Sequence, residues 1–89
     1  MRVIITVIGK DTIGIIAKVT NLLAAQSVNI LDISQTVFDD LLAMVLLGDM
    51  SKATLSVSAL SKMLEEEGEK IGMKIITTQE DIFNQMHRI

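Results

Sequence analysis

Cysteine, tryptophan and tyrosine are absent from this 89-residue chain, and it holds only two phenylalanines and one histidine. Without cysteine there is no disulfide framework and no thiolate nucleophile, which suits a reducing cytosol. The same absence removes the Cys-x-x-Cys clamp of a soft-metal carrier. The scarcity of aromatic rings removes the stacking platforms that single-stranded nucleic acids need. Basic charge is short as well. The net charge is −3, with Lys and Arg spread along the chain, so nucleic acid has little to hold. No apolar run approaches the roughly 18–20 residues of a membrane span. The longest, Leu41 to Leu47, has the size of a strand. The amino-terminal segment enters directly into apolar alternation and lacks the parts of a signal peptide. His87 sits near the terminus with no other His or Cys to join it, so no nucleophile–base pair and no metal-ligand set can be assembled. The expectation is a cytoplasmic protein that is not an enzyme and carries no cofactor.

What the chain has in excess is apolar surface, at 49% hydrophobic residues. Residues 1–89 suffice for one domain, and at that size folding buries only about 60–65% of the extended chain's surface. Apolar residues that find no place inside are best covered by another copy, which points to a homo-oligomer.

The periodicity of the apolar residues predicts the elements. Arg2 to Ile8 is a β-branched run with apolar residues on both faces, the mark of a central strand. Gly9 to Thr12 breaks it, and Asp11 or Thr12 caps a helix with the stripe Ile15, Val19, Leu22 and Leu23. Asn29 to Val37 reads as an edge strand, with Leu31, Ile33 and Val37 on one face and Asp32, Ser34 and Thr36 on the other. Asp39-Asp40 turns the chain into Leu41 to Leu47, a second central strand. Ser51 to Thr54 offers caps for a second helix that buries Leu55, Ala59, Met63 and Leu64, with Gly72 at its end. Met73 to Thr78 is a last strand, and Glu80 to Met86 forms a terminal helical turn or two with Ile82, Phe83 and Met86 at docking positions.

The order strand, helix, strand, strand, helix, strand defines an α+β, ferredoxin-like βαββαβ sandwich. Its antiparallel four-stranded sheet has the order 4-1-3-2 with two helices on one face. That order puts the first and third strands in the middle, and those are the two that are apolar on both faces. Many unrelated functions share this fold, so the site must decide among them. An acyl-phosphate hydrolase of this shape needs an Arg in the loop after the first strand, where this chain has only Lys10.

The loop Gly9-Lys10-Asp11-Thr12-Ile13-Gly14-Ile15, the Asn29-Ile30 pair that opens the next strand, and the stretch Asp32-Ile33-Ser34-Gln35 remain to be explained. Together with Asp81-Ile82-Phe83 and the closing Met86 to Ile89, they resemble the ACT family, in particular small stand-alone ACT proteins similar to the glycine-cleavage regulator. The resemblance spans essentially the whole chain. One departure is Thr12-Ile13 where the family often has Arg-Pro, so no role for that arginine carries over. The resemblance implies a regulatory domain that works as a homodimer or higher homo-oligomer and binds a small molecule, an amino acid above all, at the subunit boundary near this loop. The ligand-binding candidates are Lys10, Asp11, Thr12, Ile13, Gly14, Ile15, Asn29 and Ile30.

Their chemistry suits a zwitterion. A helix start offers free N–H groups to a carboxylate, Gly14 permits close approach to the backbone, Asn29 both donates and accepts, and Asp11 can pair with an ammonium group. Each has a plainer reading beside it: Asp11 as a cap, Gly14 as room for helix–sheet packing, Asn29 as a turn former. A domain that regulates a partner by protein contact, without any small ligand, is the alternative function.

Overall fold

The computed structural model describes residues 1–86. Expectations that fell on His87, Arg88 and Ile89 lie outside the described residues. The chain runs β1 (Arg2–Lys10), α1 (Ile15–Ala25), β2 (Asn29–Phe38), β3 (Leu41–Asp49), α2 (Val57–Lys70), β4 (Met73–Gln79) and α3 (Glu80–Met86). The four strands form one antiparallel sheet in the order β2-β3-β1-β4, which is 4-1-3-2 read from the other edge. The architecture is the expected α+β, ferredoxin-like one.

Alternation along the strands decides which residues form the core. Val3, Ile5 and Val7 of β1 stand beside Leu46 and Met44 of β3 and Ile75 of β4, and all are at most 4% exposed. Ile15, Val19 and Leu23 of α1 and Leu60 and Leu64 of α2 join the same cluster. Each such side chain contributes about 1.5–3 kcal/mol by leaving water. The molecule measures 35 × 34 × 20 Å, and the short axis matches two packed layers.

Four details depart from the sequence reading, each for a local reason. Neither Asp11 nor Thr12 caps α1; its N-cap is Gly14, at φ 90°, with no side-chain hydrogen bond. At the second helix, α2 begins at Val57 rather than near Ser51. Ser56 is its cap, accepting from the Ala59 N–H at 3.1 Å, whereas Ser51 is engaged with Asp49. The buried stripe of α2 is accordingly Leu60, Leu64 and Gly68, and Ala59 is exposed. Finally, the β2 ladder is irregular between Ile30 and Asp32, so Leu31 has no register partner there. Ile30 thus replaces Leu31 on the face shared by Ile33, Gln35 and Val37.

Candidate functional site

The βαβ connection dictates where the candidate residues go. β1 and β2 both run antiparallel to β3, so they are parallel to each other. The end of β1 and the start of β2 must then lie at opposite ends of the sheet. Lys10 shares a row with Leu41 and Phe38, and Asn29 shares a row with Asp49 and Arg2. Eight steps of strand separate the two rows, about 26 Å at 3.3 Å per residue. Within one chain the loop residues come together; Asn29 and Ile30 do not join them.

At the loop end, the Asp11 N–H donates to the Asp40 carbonyl at 2.7 Å and ties the loop to the β2–β3 turn. Lys10, Asp11, Thr12, Ile13 and Gly14 are all exposed, whereas Ile15 is a core residue. Ile13 stands fully in solvent, at 106% relative exposure. A Cβ built on Gly14 would meet nothing within 4 Å. The packing explanation for this glycine therefore fails, and its positive φ is what selects it. The Gly14 carbonyl accepts from the Lys18 N–H at 2.9 Å, but no side chain caps α1 and no acidic residue occupies its first turn. Among the described residues, the first turn itself therefore supplies no carboxylate to the positive end of the helix.

At the other end, Asn29 lines a depression of about 550 Å³ with Ser27, Val28, Asp49, Ser51 and Lys52. None of these five neighbours was among the sequence candidates, and Asp49, Ser51 and Lys52 lie outside the motif altogether. The signal for them was the Asp49-x-Ser51 spacing, which forms a local turn with the Ser51 N–H donating to the Asp49 carboxylate at 3.0 Å. That bond, reinforced by the Ser51 hydroxyl and by the positive charges of the amino terminus and Arg2, holds the Asp49 carboxyl below its ordinary range. A lowered folded-state value means the stabilisation is complete above the unfolded value of about 3.9 and is lost as pH falls through the folded value. Asp49→Asn is therefore expected to be less stable than wild type near neutral pH. The gap should close as urea melts are taken to acid below pH 4.

The fold and an exposed, glycine-capped loop after the first strand define a small ferredoxin-like domain. The family model described as "ACT domain" matches residues 1–78, and the chain belongs to the ACT domain family. Domains of this family are in general small-ligand-binding regulatory units. A UPF0237 protein of Methanocaldococcus jannaschii is 49% identical over 88 residues, covering 99% of this chain and 98% of the relative. One from Clostridium acetobutylicum is 46% identical over the full length of both. An ACT domain protein from Streptococcus pneumoniae superposes with a TM-score of 0.83 at 37% identity, covering 93% of each chain. A structure titled as a putative glycine cleavage system transcriptional repressor matches at TM-score 0.74 over 88% of this chain and 44% of its own. At 20% identity it shares the fold.

Proposed function

We propose that this chain is a cytoplasmic, non-catalytic regulatory domain that binds a free amino acid or a similar small zwitterion as a homodimer. The observation that carries the reading is the uncapped start of α1, presented behind Gly14 on an exposed loop. Its N–H groups suit a carboxylate, and the neighbouring Asp11 suits an ammonium group.

A second copy supplies what one chain lacks. β2 is an edge strand whose Leu31, Ile33 and Val37 are 45%, 40% and 53% exposed. Antiparallel pairing of two β2 edges about Ser34 lays Asn29 of one copy against the other's Asp39. That turn is tied to the ligand loop through Asp11. Each of two boundary sites then gains Lys10 to Ile15 from one copy and Asn29 and Ile30 from the other. The two halves that lie far apart in one chain meet across the dimer.

Thermal melts with each amino acid in turn test this. Ligand at about a hundredfold over its Kd adds roughly 2.7 kcal/mol, several degrees for a domain of this size. Gly14→Ala and Asn29→Ala are expected to blunt that shift, with separate melts showing each variant folded. A flat response to every amino acid sinks the reading. The fully exposed Ile13 favours one other function, a protein-contact regulator. That reading predicts a partner captured equally well with metabolites present or stripped away.

A further inference from the structure

The depression beside Asn29 is walled by polar residues. Val28, the apolar residue that lines it, is only 4% exposed, whereas Ser27, Asn29, Ser51 and Lys52 are exposed and Asp49 is half-buried. Its two charged residues differ in what already holds them. The Asp49 carboxylate accepts from the Ser51 N–H at 3.0 Å, and the amino terminus and Arg2, its register partner on β1, place positive charge beside it. Lys52 has no ion-pair partner among the described residues, where the ion pairs are Arg2 with Glu80 and Lys70 with Glu67. The charge left over for a ligand is the positive one.

We propose that Lys52 is a specificity-determining residue that selects, among free amino acids, those with an acidic side chain. The inference rests on the boundary site proposed above, because Asn29 belongs both to that site and to the depression. An amino acid whose two charged ends are held by the loop of one copy sends its side chain past Asn29 of the other. That path leads into the depression.

Size, rigidity and chemistry all favour a carboxylate there. At about 550 Å³ the depression falls within the ordinary range of small-molecule pockets, about 300–1,000 Å³, and has room for the two or three carbons of an acidic side chain. The bond between Asp49 and Ser51 fixes the turn that carries Lys52, so the root of the lysine side chain is held in place. A carboxylate can accept from the Lys52 ammonium and from the Asn29 amide together. Asp49 does not cancel the attraction, since its own charge is matched by its neighbours. A large apolar side chain would cover Asn29, Ser51 and Lys52 and offer none of them a hydrogen bond, which is costly. A basic side chain would meet Lys52 with like charge.

Glutamate and glutamine, equal in size and different by one charge, provide the test. Thermal melts over a titration of each ligand give two apparent dissociation constants. Glutamate is expected to bind the wild type about two- to five-fold more tightly at low salt, the scale of an exposed ion pair. The gap should narrow in about 1 M salt. Lys52→Gln should make the two ligands equal, and Lys52→Glu should place glutamate below glutamine. Melts without ligand check that each variant is folded, and Lys52→Gln decides alone where Lys52→Glu is not. If no amino acid stabilises the wild type, the boundary site fails and this inference falls with it. If amino acids bind but glutamate is no tighter than glutamine, or its advantage survives in Lys52→Gln, the inference is overturned while the boundary site stands.

Discussion

Leu46→Ala is expected to destabilise the domain by about 2–5 kcal/mol, a large share of its total stability. Leu46 is fully buried, paired with Ile5 on one side and Ile33 on the other. Its removal opens a cavity between β3 and the helices rather than at a surface that could collapse. A domain of this length has a total stability of only roughly 4–13 kcal/mol. Each kcal/mol shifts Tm by about 4–8 °C at this size, so the loss is read directly in a urea or thermal melt. The neighbouring residue gives the contrast. Val45 points to the other face and is 38% exposed, so Val45→Ala should cost less than about 1 kcal/mol in dilute, monomeric protein. Equal losses at the two positions would mean that β3 does not present the faces described.

That contrast rests on the part of the fold most open to reading from sequence. Val3, Ile5 and Val7 alternate without interruption, and a period-2 pattern names its buried face as soon as one member is placed. The errors arose where a local interaction outweighed pattern. A slip of one residue at the Leu31 bulge moved Ile30 to the inner face, and no property of Leu31 announces a bulge. Ser51 and Ser56 are equally good caps by type, but Ser51 is drawn into the Asp49 turn, and the helix therefore waits for Ser56. The candidate site was legible as residue types but not as one place. Lys10 to Gly14 and Asn29 belong to one motif in the sequence, yet parallel strands joined by a helix set them at opposite ends of the sheet. In the proposed dimer a second copy reunites them. The Asp49–Ser51–Lys52 side of the Asn29 depression stayed hidden because β3 and the turn after it supply it from a distant part of the chain.

Gly68 was equally invisible, and it yields the second large effect. In an exposed helix, Gly to Ala gains about 1 kcal/mol, because alanine gives up less backbone freedom on folding. Gly68→Ala should do the opposite. Gly68 is buried on α2, and a Cβ there would lie 2.8 Å from the Met73 carbonyl oxygen and 2.9 Å from Cγ1 of Ile75. The first of these atoms is backbone of β4, fixed by pairing with β1, and cannot rotate away. Overpacking of this kind costs about 1–3 kcal/mol, which exceeds the gain in helix propensity and leaves a net loss. Gly68→Val adds two methyl groups to the same collision and a β-branched side chain to the helix, so its loss should be greater still. The expected order of urea midpoints is wild type, then Gly68→Ala, then Gly68→Val. A rise in stability for Gly68→Ala would mean that α2 stands further from β4 than this contact requires. The close approach fixes the inner layer at this spacing, and neither methionine nor isoleucine on β4 can move outward without giving up its ladder to β1.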